Sequence, residues 1–211
     1  LPVLGQDVYG NPFVPMRGEQ IETGVKWQTT RNALLTAAYY EITDTNRQTN
    51  DPDNVLNVVQ TGEVESKGSE LEGAFVFGND VTVTASYSHS KAEVTRSNIE
   101  WEVGRRLNDT PQDLASLWLA KGFQVADDMT LRAGLGGRYV GSTVSAGPTT
   151  SITSPSNTLA DAMLELQLPS WVFSLNVTNL FDKEYFGPCR YFGDCFTGNP
   201  RTVVGTVSYR F

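Results

Sequence analysis

No stretch of these 211 residues is a long apolar run. A helix that crosses a membrane needs about 18–20 consecutive apolar residues, and the mean hydropathy is only −0.27. Helical membrane architecture is therefore excluded. Clustered cations are missing too: 16 Lys and Arg face 24 Asp and Glu, for a net charge of −8. Phosphate backbones are bound by grouped Lys and Arg, so nucleic acid is not an expected partner. There is one histidine, His89, and no Gly-x-Ser-x-Gly near it, which leaves no Ser-His-Asp constellation. The run Gly134-Leu135-Gly136-Gly137 lacks the final glycine of a dinucleotide fingerprint. Heptads and low-complexity tracts are absent. Cysteine is scarce: Cys189 and Cys195 are the only two, with five residues between them. Zinc usually takes four ligands with tighter cysteine spacing, and His89 is far away in sequence. The pair therefore reads as a disulfide, which implies an oxidising compartment. The start, Leu1-Pro2-Val3-Leu4, has neither the charged nor the apolar region of a signal peptide. An internal start in a longer protein is expected.

What is present is a period of two. In the segment Asp80 to Ser88, Val81, Val83, Ala85 and Tyr87 share one side and Thr82, Thr84, Ser86 and Ser88 the other. Leu131, Ala133, Leu135 and Tyr139 likewise oppose Thr130, Arg132, Gly134 and Arg138. Ala160, Ala162, Leu164, Leu166 and Leu168 oppose Asp161, Met163, Glu165 and Gln167. Trp171, Phe173, Leu175, Val177 and Phe181 oppose Ser174, Asn176 and Thr178. Val203, Val207, Tyr209 and Phe211 oppose Thr206, Ser208 and Arg210. Four further runs follow the pattern less cleanly. They are marked by Ile21, Val25 and Trp27; by Leu34, Ala38, Tyr40 and Ile42; by Leu71, Phe75 and Phe77; and by Ala115, Leu117, Leu119 and Phe123, with Trp118 on the polar side. The total is about nine strands.

The connections alternate in length. Short ones carry turn residues: Thr29-Thr30-Arg31-Asn32, Gly78-Asn79-Asp80, Ala126-Asp127-Asp128 and Pro169-Ser170. Long ones lie between them, about Asn46 to Asn57, Arg96 to Pro111, Ser142 to Ser156 and Phe186 to Pro200. Trp27, Phe77, Phe123 and Trp171 stand beside the short turns; Tyr40, Tyr87, Tyr139, Phe181 and Tyr185 stand nearer the long loops. Short turns on one rim, long loops on the other and two aromatic girdles describe an outer-membrane barrel. The fold class expected is all-β, a transmembrane antiparallel β-barrel. A soluble β-sandwich with core aromatics at its strand ends is the rival architecture.

Three stretches resemble the TonB-dependent siderophore receptor family, most closely its ferrichrome/hydroxamate-type branch. They are Gly18-Glu19-Gln20-Ile21-Glu22-Thr23-Gly24-Val25-Lys26-Trp27; Thr61-Gly62-Glu63-Val64-Glu65-Ser66-Lys67-Gly68-Ser69-Glu70-Leu71-Glu72; and Asn176-Val177-Thr178-Asn179-Leu180-Phe181-Asp182-Lys183-Glu184-Tyr185, followed by the cysteine loop, Pro200-Arg201 and Gly205 to Phe211. The resemblance implies a 22-stranded barrel plugged by a globular domain, with residues 1–211 supplying its last nine strands. The plug and the TonB-contacting box are then expected outside this chain, and the chain is expected to be a fragment, since open sheet edges are not tolerated in lipid. The implied setting is the bacterial outer membrane, in contact with its lipid and lipopolysaccharide. The implied activity is capture of a ferric siderophore, followed by import coupled to TonB. Iron would travel inside the siderophore, so neither a cofactor nor a protein metal site is expected. The complete receptor is expected to be monomeric and not an enzyme. A porin or an outer-membrane hydrolase is the alternative within the membrane class.

The candidate residues follow from placement. Trp101, Phe186, Tyr191, Phe192 and Phe196 fall in long loops, where aromatics could pack on a ligand's organic shell or on one another. Arg105 and Arg106 could anchor an anionic ligand or a lipopolysaccharide phosphate, or be a solvated loop pair. Cys189 and Cys195 would stiffen the last loop, where the family carries a similar pair. Glu22, Glu70, Glu72, Arg132, Arg138 and Glu165 would line a wet lumen, bonded to the plug or to water. Val207, Tyr209 and Phe211 would form the terminal membrane-insertion signal.

Overall fold

The computed structural model describes residues 5, 10, 12–30, 32–50, 58–78 and 80–211. Its strands in chain order are β1 (Arg17–Thr30), β2 (Ala33–Asn50), β3 (Val58–Phe77), β4 (Val81–Arg96), β5 (Asp113–Ala126), β6 (Met129–Val140), β7 (Thr143–Ala146), β8 (Ser151–Ser154), β9 (Asn157–Gln167), β10 (Trp171–Thr178), β11 (Phe186–Cys189), β12 (Cys195–Thr197) and β13 (Thr202–Tyr209). Nine form one antiparallel sheet in the order β1-β2-β3-β4-β5-β6-β9-β10-β13, matching the number read from the sequence. The other four make two hairpins, β7–β8 and β11–β12, set in the long connections. Among the described residues, the only helical element is the 3-10 turn Glu100–Glu102.

Directly paired residues in a ladder share a face, so the register sorts every side chain. One rung runs Trp27, Leu35, Gly73, Ala85, Leu117, Gly137 and Ala160 across seven strands. Its side also carries Val25, Leu71, Phe75, Leu119, Leu135, Leu164, Phe173, Leu175 and Val207. These residues are not packed against another sheet: Ile21 is 79% exposed, Val25 68% and Val207 60%. A sandwich would bury this face, so the soluble alternative fails. The opposite face is hydroxylated and charged. Ser86 and Ser116 hydroxyls lie 2.8 Å apart, and Arg138 Nε donates to Asp161 Oδ2 at 2.8 Å. Glu22, Glu70, Glu72, Arg132 and Glu165 share this polar side, as the alternation indicated.

Aromatics gather at both margins of the apolar face. Near the short turns, Trp171 packs on Tyr209 at 4.7 Å between ring centroids and Tyr209 on Phe211 at 6.1 Å, while Phe75 and Phe77 stack at 6.1 Å. Toward the long loops, the Tyr39 hydroxyl donates to Glu41 at 2.9 Å and the Tyr87 hydroxyl to Asp113 at 2.8 Å. An apolar body with a polar tip suits the boundary between hydrocarbon and water.

The structure corrects three readings. On β2, Tyr39 rather than Tyr40 belongs to the apolar side, together with Leu35 and Ala37; Leu34, Ala38, Tyr40 and Ile42 lie on the polar side. Tyr40 is held there by Gly68, where a Cβ would sit 2.5 Å from the Tyr40 ring. Phe181 lies beyond β10 in a turn whose Asn179 and Asp182 both have φ of 52°, and it is 79% exposed. The connection placed at Asn46 to Asn57 is shorter than expected, because β2 and β3 continue pairing as far as Asn50 and Val58. Residues 51–57 lie outside the described residues, as do Leu1 to Leu4, Arg31 and Asn79.

Trp118 explains the glycine run of β6. Its indole crosses the polar face over Gly134 and Gly136; a Cβ on Gly134 would stand 2.7 Å from the ring, and one on Gly136 would collide with it. Gly136→Val should therefore destabilise the full-length protein by about 1–3 kcal/mol. Adding Trp118→Ala should recover most of that loss, as read by urea unfolding followed by circular dichroism.

Candidate functional site

The connections at 97–112, 141–156 and 179–201 are built structures, and the middle one is bonded to the other two. Above His89, β5 no longer accompanies β4. Residues 104–107 take its place: Val94 N donates to Arg105 O at 2.9 Å, Gly104 N to Val94 O at 2.8 Å and Leu107 N to Ala92 O at 2.9 Å. Gly104 turns the chain into this position with φ of 78°, a conformation open to glycine at no steric cost.

From this pseudo-strand, side chains reach the β7–β8 hairpin. Asn108 clasps Ala146 in both directions, Nδ2 donating to its carbonyl and Oδ1 accepting from its amide, each at 2.9 Å. Arg105 donates to Gly147 O at 3.2 Å, with its guanidinium over the Trp101 ring at 5.1 Å. Arg106 donates to Gln112 Oε1 at 3.3 Å, to Ser142 O at 3.0 Å and to Thr110 O. Both arginines thus tie loops together.

The β11–β12 hairpin docks in turn on β7–β8. Cys189 and Cys195 face each other in register and are bonded. Cys189 N donates to the buried Ser154 hydroxyl at 2.7 Å, Tyr191 N to Ser145 Oγ at 3.2 Å, and the Thr150 hydroxyl to Tyr191 O at 3.3 Å. The Tyr191 ring occupies the space a side chain at Gly147 would need. At the hairpin tip Arg190 forks onto Asp194, and its guanidinium lies 4.7 Å from the Phe192 ring centroid and 5.3 Å from that of Phe196. The Arg190 bond holds the Asp194 carboxyl below the ordinary carboxylate range. Burial pushes Asp109 upward, with Arg190 opposing that shift.

The structure thus sets Phe192 and Phe196 against Arg190, with Tyr191 edge-on to Phe192, and Trp101 against Arg105. Phe186 stands apart at the far end of the hairpin, paired with Thr197. Trp101, Arg105, Arg47, Arg96 and Leu107 line a cavity of about 160 Å3 at the outer end of β2 to β4. Val207 and Tyr209 lie on the apolar face at the opposite rim, leading to Phe211. No sequence pattern marks Asn108, Ser145 and Ser154, whose partners are distant in the chain, or Arg190, whose partners Asp194, Phe192 and Phe196 lie in its own hairpin. Nor does one show the role of Asn179, which lies inside a quoted motif. Asn179 is 2% exposed; its side chain joins Lys183 N, Lys183 O and Asn199 O at 2.9 to 3.1 Å, and its backbone N donates to Asp161 Oδ1 at 2.8 Å.

Residues 2–180 match the family described as TonB dependent receptor-like, beta-barrel. The chain belongs to the TonB-dependent receptor family. It is 35% identical over 214 residues to the ferrichrome outer membrane transporter/phage receptor of Escherichia coli strain K12, a match covering 99% of this chain and 28% of that protein. It is 35% identical over 219 residues to the ferrioxamine B receptor of Salmonella typhimurium strain LT2, covering all of this chain and 30% of that protein. Among solved structures, the closed form of the ferric-catecholate import receptor Fiu from Escherichia coli K12 superposes with a TM-score of 0.72 at 27% identity, over 98% of this chain and 29% of that one. The chain therefore spans under a third of the length of the curated relatives it matches. This TonB-dependent receptor segment is an outer-membrane protein; its apolar face is the lipid side, its polar face the lumen. The family consists of transport receptors.

Replacing Cys189 and Cys195 by serine in the full-length receptor should cost the β11–β12 hairpin about 2 kcal/mol, as expected for closing so small a loop. Limited proteolysis should then cut between positions 189 and 195 several times faster, with the transmembrane strands unaffected.

Proposed function

We propose that this chain is part of an outer-membrane receptor that captures a ferric siderophore, most consistently one of hydroxamate type, and imports it with energy supplied through TonB. The observation that carries the reading is the crown of three loops, two of them bonded to the β7–β8 hairpin between them, standing above a polar lumen wall. A crown of that kind holds aromatic and cationic groups in fixed positions, which lowers the ordering cost of binding. The hydroxamate preference is supported by the two relatives at 35% identity, named for ferrichrome and ferrioxamine B, against 28% for the catecholate receptor Fiu.

In this reading Tyr191, Phe192 and Phe196 offer rings to the ligand's organic shell, with Arg190 fixed among them. Trp101 and Arg105 do the same at the neighbouring cavity, and Phe186 extends the surface toward the base of the hairpin. Arg106 acts by positioning the loops. The carboxylates Glu22, Glu70 and Glu72 present acceptors to a plug inside the barrel. TonB engages a part of the receptor other than this barrel segment. Iron is cargo within the siderophore, no cofactor takes part, and the receptor performs no catalysis. Val207, Tyr209 and Phe211 serve assembly into the membrane.

Three outcomes test the reading. Phe192→Ala with Phe196→Ala should weaken ferric hydroxamate binding by about tenfold or more, the usual cost of losing well-packed aromatic anchors, at unchanged surface levels. Cells relying on the receptor should grow on ferrichrome-class iron and not on catecholate-bound iron; the reverse preference would refute the hydroxamate assignment. Deleting Phe211 should lower surface levels strongly while the receptor that does assemble keeps its affinity, as measured by surface labelling beside ligand titration.

A further inference from the structure

On its lumen side β4 carries five hydroxyls in succession: Thr82, Thr84, Ser86, Ser88 and Ser90. Eight residues separate the ends of this run (90 minus 82). At roughly 3.3 Å per residue that is about 26 Å of strand and, at about 45° of tilt, roughly 19 Å of an apolar band ~25 Å tall. Solvation of a lumen wall asks only for polarity, and the neighbouring strands meet it with charges. β3 presents Glu70 and Glu72, and β6 presents Arg132 and Arg138. On β4 every one of these positions is neutral. The Ser86 hydroxyl lies 2.8 Å from that of Ser116. Those of Thr82, Thr84, Ser88 and Ser90 have no bonded partner among the described residues.

The charges stand to either side of the run. One rung reads Lys26, Thr36, Glu72, Ser86, Ser116 and Arg138. With about 4.8 Å between strands, the Glu72 and Arg138 backbones are about 14 Å apart, with the two serines between them. Arg138 is bonded to Asp161, on the side away from the serines. Trp118, opposite Thr84, is turned over Gly134 and Gly136 and so away from β4.

Three hollows follow the run downward. The uppermost, about 320 Å3, is bordered by Glu70, Ser88, Leu114 and Arg138. It shares Glu72, Ser86 and Ser116 with the next, about 290 Å3, which reaches Thr84 and Ala74. The lowest, about 290 Å3, begins at Thr82 and is bordered by Gly122, Asp80, Arg132 and Glu165.

We propose that the lumen face of β4, from Ser90 down to Thr82, is the strip of wall along which the ferric hydroxamate ligand descends; this rests on the import reading above. A hydroxamate-type complex presents oxygen acceptors and amide-like groups, and a hydroxyl can both donate and accept. Passage needs sites that are favourable enough to enter and weak and numerous enough to leave. A row of neutral hydroxyls meets that need, because bonds to charged groups are roughly twice as strong. A plug that must stay seated has the opposite need, which Glu70, Glu72, Arg132 and Arg138 serve at the borders. The small side chains and the turned Trp118 keep the strip open.

The test uses the full-length receptor in cells that depend on it for iron, with ferrichrome as the probe. Ser86→Leu with Ser116→Leu should slow uptake about tenfold, the worth of two neutral hydrogen bonds, with ferrichrome affinity and surface levels unchanged. Ser86→Thr with Ser116→Thr should import at the wild-type rate. Ser86→Gln with Ser116→Gln fills the same hollows with polar groups, should slow uptake equally, and serves if the leucine pair assembles poorly. Thr206→Leu, on the lumen face of β13, should change nothing. Wild-type uptake by both the leucine and glutamine pairs overturns the strip, as does an equal loss in Thr206→Leu. A rise in ion conductance of the leucine pair in planar bilayers, showing a loosened plug, assigns the hydroxyls to the plug and overturns it too. A wild-type receptor that imports no ferrichrome refutes the import reading itself, so the two failures are separable.

Discussion

Inside a hydrocarbon layer a backbone amide has no water to bond, so every one must find a carbonyl within the protein. The sheet is organised around that requirement. Its rungs continue from strand to strand without a gap between β1 and β13, and where one strand departs another segment takes its edge. When β5 leaves β4 at the His89–Asp113 rung, the amide of Ser90 turns to Gln112 O at 2.8 Å, and residues 104–107 then take over. At the opposite rim, Arg210 N donates to Ser170 O at 2.8 Å, carrying the last pairing past the end of β13. Faces, girdles and loop lengths all follow from this unbroken ladder.

The ladder also decides what could be read from the chain. Where one side of a strand is plainly apolar, as in Val81 to Ser88 or Thr130 to Tyr139, alternation fixes the face without any neighbour. In β2 the doublets Leu34-Leu35, Ala37-Ala38 and Tyr39-Tyr40 make both sides resemble lipid-facing surface. There the choice belongs to β1 and β3, whose register brings Val25 and Leu71 opposite Ala37. Period two therefore located the strand but not its inner face. Trp118 was placed correctly on the polar side, but its reason, the space left by Gly134 and Gly136, is a contact between strands.

The loops were legible as lengths and not as structures. The β7, β8, β11 and β12 strands have three or four residues each, too few for a pattern to emerge. Their stability comes from Ser145, Ser154 and Asn108 bonding to main chain that lies 35 to 46 residues away. A serine in a polar loop carries no sign of that. Of the aromatic residues in the last connection, Phe192 and Phe196 lie against Arg190 and Tyr191 lies edge-on to Phe192, a grouping set by the hairpin and not by any sequence pattern.

Because Ser154, Ser145, Asn108 and Arg105 each belong to one loop and bond the backbone of another, the crown cannot change one piece at a time. A loop borrowed from a relative with a different ligand would arrive without its matching hydroxyl or amide and would strand a buried donor in its neighbour. The heritable unit at the mouth is thus the set of three loops. Divergence among such receptors should show the connections at 97–112, 141–156 and 179–201 varying in concert, like the parts of a single lock, while the strands beneath drift independently.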